Sequence, residues 1–422
     1  MKIKVTDKCY NEVITLPKEK HINPVRQSAF WRWLLRVLSI SELKAVDFSY
    51  TTHGMEALNP SEPVLFLMNH SSFTDLQIAV TLLSKRQFHI VMTDDGMVGK
   101  AGLMRNIGCI PTKKFIQDTV LVKDMVFCVK NLNSSILMYP EASYSFDGTA
   151  TPLPDSLGKL IKLLGIPVVM IKTKGAFLRD PLYNNLRKRN VKVTATETLL
   201  LTADETKSKS VSEINEILKN TFNFDNFRDQ VKDGVLVSED FRADDLERVL
   251  YKCPHCNNEG TMHAKGTSIS CSSCGECHTL LETGLLKCTT GDTKYEYISD
   301  WYSWERACVR NEIDDNTYLL DTDVEILMLV DSRSMYRIGS GHLTHNASGF
   351  TLTSSNGELS YHQGPNHSYS LYSDYYWYEL GDMICIGDSE ARYYCFPQKE
   401  ANIPVAKARL ATEELWKNNC RI

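Results

Sequence analysis

The chain has 422 residues, with 47 lysines and arginines against 52 aspartates and glutamates and a net charge of −5. That length exceeds one ordinary core and predicts two or three domains, while the acidic balance argues against a nucleic-acid binder. Hydrophobic content of 43% and charged content of 23% are those of a folded globular protein, and no apolar run reaches the roughly 18 residues that a transmembrane helix needs.

The N-terminus, Met1 to Asp7, lacks the apolar core of a signal peptide. With it goes an odd cysteine total, 13, which predicts a reducing compartment. Residues 1–45 read as an arm followed by an amphipathic helix. Its centre is Phe30-Trp31-Arg32-Trp33-Leu34-Leu35-Arg36-Val37-Leu38. Two tryptophans with interspersed arginines suit a helix lying in a membrane interface, and Lys18, Lys20 and Arg26 add local positive charge. The same pattern also suits a helix packed on its own domain.

From 46 to 202, short apolar strands alternate with helical stretches: Val64–Met68, Phe88–Met92, Ser135–Met138, Val168–Lys172 and Val191–Leu201. That alternation predicts an α/β domain with a mainly parallel sheet. The first of these strands ends in Asn69-His70-Ser71-Ser72-Phe73-Thr74-Asp75. Strand ends are where α/β folds build sites. A histidine held by a carboxylate can act as a general base. Ser72 and Asp75 read equally as a helix N-cap with its acidic partner, and both readings can hold together.

Three further segments follow in order: Gly108-Cys109-Ile110-Pro111-Thr112-Lys113-Lys114, Tyr139-Pro140-Glu141-Ala142-Ser143-Tyr144-Ser145, and Gly165-Ile166-Pro167-Val168-Val169-Met170. With the His70 segment they resemble the four blocks of the glycerolipid acyltransferases, typified by 1-acylglycerol-3-phosphate acyltransferases. The resemblance covers roughly residues 45 to 200. It implies His70 as base and Asp75 as its orienting partner, with Lys113, Lys114, Glu141, Ser143 and Tyr144 at the acceptor. It also implies acyl-CoA or acyl carrier protein as donor. Backbone N–H groups at the start of the following helix would serve the oxyanion. Two departures stand out. Ala142 replaces the family's glycine and Tyr144 its arginine, so the acceptor's phosphate lacks its usual ligand here, with Arg105 nearby as a substitute. Intact His70 and Asp75 argue for an enzyme; the two changes motivate the competing readings of a neutral or glycolipid acceptor, or of an inactive lipid-binding module.

Residues 203–250 read as a charged, exposed helical linker, with helices over Val211–Phe222 and Asp244–Leu250. Residues 251–290 contain Cys253-Pro254-His255-Cys256 and Cys271-Ser272-Ser273-Cys274. Two Cys-x-x-Cys turns joined by a short loop look like a zinc ribbon with a closed, structural site on Cys253, Cys256, Cys271 and Cys274. A redox pair is the alternative, and Cys277, His255, His263 and His278 are substitute ligands. Cys9, Cys109, Cys128, Cys385, Cys395 and Cys420 read as small core residues or free thiols. In 291–422, a helix over 297–312 precedes short strands, among them a hairpin at Asn356-Gly357. A helix from about Pro404 to Lys417 closes this small β-rich domain, a barrel or sandwich. The aromatic run Tyr372 to Tyr378 suits sheet packing or a ligand platform. Together these features predict a cytoplasmic enzyme, peripheral on the inner face of the membrane, whose partners are a lipid surface and an acyl thioester. Oligomeric state stays open.

Overall fold

The computed structural model describes residues 3–398 and 404–419; Cys420 lies outside them. Eight strands come first: β1 (Val5–Asp7), β2 (Ser49–His53), β3 (Leu65–Met68), β4 (Phe88–Thr93), β5 (Cys109–Thr112), β6 (Ser135–Met138), β7 (Val168–Lys174) and β8 (Thr194–Leu201). All but β1 form one sheet in the order β2-β8-β7-β3-β6-β4-β5. Its centre, β3, is buried at every residue. Leu65 and Leu67 join a core with helices Thr119–Lys130, Ser156–Leu164 and Val211–Thr221. Phe66 and Met68 join a second core on the opposite face, with helices Thr74–Leu82 and Ala29–Ala45. A strand covered on both faces reads as an unbroken apolar run, as Val64 to Met68 does.

The sheet is mixed: its pairings are parallel as expected except one, between β7 and β8. Strands β7, β3, β6, β4 and β5 run one way, whereas β8 pairs antiparallel with β7 and carries β2 with it. A parallel return needs a crossover long enough to travel back along the sheet. The connection 175–193 has only the short helix Ala176–Arg179 and a single 3-10 turn, so β8 starts beside the end of β7.

The stretch after β8 is packed rather than exposed. Ile214, Leu218 and Phe222 enter one acyl-domain core, and Val237, Leu246, Val249 and Leu250 enter a core shared with the C-terminal half. The helix expected over Asp244–Leu250 is one 3-10 turn, Leu246–Arg248. Asp245 adopts φ 64, a left-handed conformation that interrupts a helix. Asp244 and Glu247 instead accept backbone N–H bonds from Gly266 and Ala264 at 2.5 and 3.2 Å.

Strands β9 (Met262–Lys265), β10 (Ser268–Cys271), β11 (Cys277–Leu280) and β12 (Leu286–Cys288) make a small antiparallel sheet. Beyond it, a helix spans Ile298–Asp314. Tyr297 is its N-cap, and the Ser299 hydroxyl donates to Asp225. Strands β13 (Leu320–Leu329), β14 (Met335–Asn346), β15 (Gly349–Ser354), β16 (Ser360–Gln363), β17 (Tyr372–Trp377), β18 (Gly381–Gly387) and β19 (Arg392–Pro397) follow. They form a single sheet in the order β16-β15-β14-β13-β19-β18-β17, to which β1 adds in parallel beside β14. Irregularities at Ile326/Leu327 and Asp374/Trp377 bend it. Its ends approach where the Gly387 N–H donates to Gln363 Oε1 at 3.0 Å. It is thus a curled sheet, neither a closed barrel nor a sandwich, and the helix Val405–Asn419 packs against β17 and β18.

This β domain sits over the edge where β3, β4, β5 and β6 end. Asp95, just past β4, accepts from Tyr372 Oη at 2.7 Å and from Trp377 Nε1 at 3.3 Å. Asp94 pairs with Arg392, and Val98 packs with Tyr372 and Trp377 in one apolar cluster. The aromatic run of β17 is therefore the glue of this joint. Replacing Asp95 with alanine leaves the buried Tyr372 hydroxyl without its acceptor, while Trp377 Nε1 keeps Tyr372 Oη at 3.0 Å; it is expected to destabilise the protein by about 2 kcal/mol, measured as a lower denaturant midpoint with an unchanged slope.

Candidate active site

His70 is delivered by the end of β3, and Asp75 by the first turn of the helix Thr74–Leu82. His70 Nδ1 lies 3.0 Å from Asp75 Oδ2. The same oxygen accepts the Ser71 and Ser72 N–H groups at 2.8 and 3.0 Å. One carboxylate thus orients the imidazole and gathers the loop amides; the N-cap of the helix is Phe73 rather than Ser72, whose hydroxyl accepts the Thr74 N–H at 2.9 Å. Those two amides are committed to Asp75, so the oxyanion donors expected at the helix start do not come from them. Asn69 fastens the loop from the other side. Its Oδ1 accepts the Thr173 N–H at 2.8 Å, tying the end of β3 to β7.

The imidazole is sandwiched between Tyr139 and Tyr144, with ring centroids 4.1 and 3.9 Å away at 25° and 27°. Its side chain is 18% exposed, and Nε2 makes no hydrogen bond among the described residues. Desolvation holds the His70 pKa below its usual value; Asp75 opposes this, and the positive charge of Lys114 adds to it. The ring is therefore neutral at pH 7. With Nδ1 directed at the carboxylate, Nε2 is the free acceptor.

Glu141 is buried, and both its oxygens are occupied. Oε2 accepts the His70 N–H at 3.1 Å, while Oε1 accepts the Thr151 N–H and hydroxyl at 3.0 and 3.1 Å. Burial raises its pKa to about 7. This places Glu141 behind His70 as a positioning residue, away from the acceptor contact implied by the resemblance. Tyr144 lies on the imidazole rather than reaching outward. Ser143 is buried and accepts from Arg409 of the C-terminal helix at 3.0 Å. Lys114 is half-buried, with Nζ 4.0 Å above the Tyr372 ring. Lys113 turns away and donates to the Ser389 carbonyl. Arg105 is half-buried and donates to the Ile22 carbonyl at 3.2 Å, so it is not brought to the site. Two cavities lie elsewhere, beside His345 and Phe350 and beside Ile313 and Tyr318.

Sequence reasoning missed three participants. Arg409 lies in the closing helix, and nothing in its neighbourhood signals a role. Asp180 is buried beside Ser72 and Asp75, with its pKa raised to about 7 by desolvation; it follows a short helix with no motif. Tyr139 was visible as part of a block, but its stacking on His70 is a matter of three-dimensional placement.

The four paired cysteines also converge. Their sulfurs lie within 4.8 Å of one another, with Cys253–Cys274 at 3.6 Å and Cys256–Cys271 at 3.7 Å. A tetrahedron of sulfurs about 2.3 Å from a metal has edges of about 3.8 Å, so the group fits a closed four-sulfur site. Asn257 and Gly275, which follow each pair, take φ 62 and 78 as the knuckle turns require. His278 is turned to Glu276 at 3.1 Å and forms a separate group with Cys288. The described cysteines are all free; Cys109, Cys128, Cys385 and Cys395 are buried.

Ala142 has φ 57, a conformation that favours glycine. The Ala142→Gly variant is expected to be about 0.5–1 kcal/mol more stable, read as a raised denaturation midpoint. A stability loss would show that the side chain's contacts outweigh the backbone strain.

Comparison with known proteins accords with this geometry. Residues 49–173 match the family model described as Acyltransferase, a segment that holds His70, Asp75 and Glu141. No curated protein matches the chain. Among solved structures, the 1-acyl-sn-glycerophosphate (LPA) acyltransferase PlsC from Thermotoga maritima is similar at 13% identity with a TM-score of 0.35, over 45% of this chain and 78% of that one. That likeness is too slight to carry an argument. The segment 49–173 is an acyltransferase-type domain, extended here by a cysteine-bearing sheet and an antiparallel β domain.

Proposed function

We propose that the protein transfers a fatty acyl chain from acyl-CoA or acyl carrier protein to the hydroxyl of a lysophospholipid such as 1-acylglycerol-3-phosphate. One observation carries this reading: a neutral imidazole, locked through Nδ1 and open at Nε2, inside a segment that matches the acyltransferase model. The acceptor oxygen attacks the thioester carbon as its proton passes to His70 Nε2. The carbon–sulfur bond breaks, and the thiolate recovers that proton. Asp75 holds the tautomer and stabilises the imidazolium. Lys114 attracts the acceptor's negative charge as a point cation.

A lipid surface is the partner this chemistry needs. No helix among the described residues is long and apolar enough to cross a membrane. Phe30, Trp33, Val37 and Leu38 are nonetheless exposed on the helix Ala29–Ala45, and Phe73 and Leu76 are exposed on the helix start beside His70. These two helices pack together. Their apolar side chains suit a peripheral seat on the cytoplasmic face of a membrane. The four-cysteine group is read as a structural zinc site, since it leaves no open position for chemistry.

Acyl-thioester consumption with a panel of lysolipids tests the reaction. Wild type is expected to turn over, and His70→Ala to fall by about a hundredfold or more; equal background rates in both would end the enzyme reading. Because His70 must be neutral, kcat/KM should fall as pH drops through its pKa. The acid limb is therefore expected below pH 6.5, the residue's ordinary value, with a plateau through neutrality. Metal analysis should find zinc in the wild type and less in Cys253→Ser, with a lower melting temperature. Metal-free wild type that melts normally would refute the zinc assignment.

A further inference from the structure

The loop after β6 brings no positive charge of its own. From Tyr139 to Ala150 there is neither lysine nor arginine. Its cation arrives from the closing helix. Arg409 is 3% exposed. Its Nη2 donates to Ser143 Oγ at 3.0 Å, and its guanidinium lies 4.5 Å from the centre of the Phe146 ring. Nε reaches Glu413 Oε1 at 3.3 Å. Nη1 is buried without a hydrogen-bond partner. Buried guanidinium donors are normally all satisfied, so the unused Nη1, on the same guanidinium that holds Ser143, can take one more acceptor atom.

The carboxylate that pairs with Arg409 is shared with another cation. Glu413 also pairs with Arg306 at 2.7 Å and accepts from Ser370 at 2.7 Å. Glu414 pairs with Arg306, Arg310 and Lys417. Two carboxylates thus serve four cations. Across the joint, Lys114 makes no hydrogen bond among the described residues and faces the Tyr372 ring. Asp374, the nearby carboxylate, has its pKa raised to about 7 by burial and is half-neutral there. Arg409 lies close enough to act on both Lys114 and Glu141, and Lys114 close enough to act on His70.

We propose that Arg409 is a phosphate ligand for the acceptor: the C-terminal helix supplies, across the domain joint, the guanidinium that the catalytic loop lacks. Nη1 takes a phosphate oxygen while Nη2 stays on Ser143, and Lys114 Nζ approaches from the opposite side. An arginine presents two parallel donors to one phosphate, which a lysine cannot. This rests on the lysophospholipid reading above. It makes the β domain part of the acceptor site.

The test uses the full chain with Arg409→Gln and Arg409→Lys. Two acceptors are compared, 1-acylglycerol-3-phosphate and the phosphate-free monoacylglycerol. Arg409→Gln is expected to raise KM for the phosphate acceptor roughly tenfold to a hundredfold more than it raises KM for the monoacylglycerol. Arg409→Lys should fall between wild type and Arg409→Gln, and serves alone if the glutamine variant does not fold. Equal losses on both acceptors, or no change on either, overturn the proposal. Calorimetric titration with sn-glycerol 3-phosphate separates it from the enzyme reading. If wild type turns over neither acceptor, acyl transfer fails; binding by wild type that is weakened in the folded variant still supports the phosphate site, and no binding by wild type overturns it.

Discussion

A single buried oxygen, Asp75 Oδ2, organises the catalytic edge of this protein. It receives the imidazole N–H of His70 and the backbone N–H groups of Ser71 and Ser72. Charge-assisted bonds of this kind are stronger than neutral ones, and here three converge within six residues of chain. The strand end, the loop and the first helical turn are consequently one unit. Asn69 fixes that unit to β7 and Glu141 fixes it to the loop after β6. Remove the carboxylate and the histidine loses both its tautomer and its backbone support.

Burial of this edge is a joint product of two halves of the chain. The parallel strands deliver His70, Asp95, Lys114 and the Tyr139–Ser145 loop to one side, and β17 with the closing helix covers them. Burial lowers the His70 pKa, which keeps the imidazole neutral at pH 7. The neighbouring tyrosines act in the same direction, because rings on both faces exclude water from the imidazole. Chemistry and packing are therefore set by the same contacts.

What could be read from sequence was local. His70 with Asp75 and the two Cys-x-x-Cys turns announce themselves within a few residues, and their geometry follows from strand ends and knuckle turns. Strands β3, β6 and β7 were legible because burial on both faces leaves an unbroken apolar run. The reversal at β8 was not, since its cause is the shape of a connection rather than a pattern. Nor was the broken helix at Asp245, where carboxylates found backbone partners on the neighbouring sheet. Arg409 meets Ser143 from 266 positions away, and no periodicity or motif encodes such a meeting. Glu141 shows the opposite failure: its motif was obvious, but its hydrogen bonds give it a supporting rather than a contacting place.

The short strand β1 carries a consequence for biosynthesis. Val5 to Asp7 pair with Met335 to Arg337, so on the ribosome β1 waits unpaired until β14 has emerged. Such distant pairing slows folding and leaves an edge open meanwhile. Strand β17, which covers Asp95 and Lys114, belongs to the same late-forming sheet. A nascent or truncated chain would thus hold the rings on His70 but not the cover over Asp95, Lys114 and Ser143.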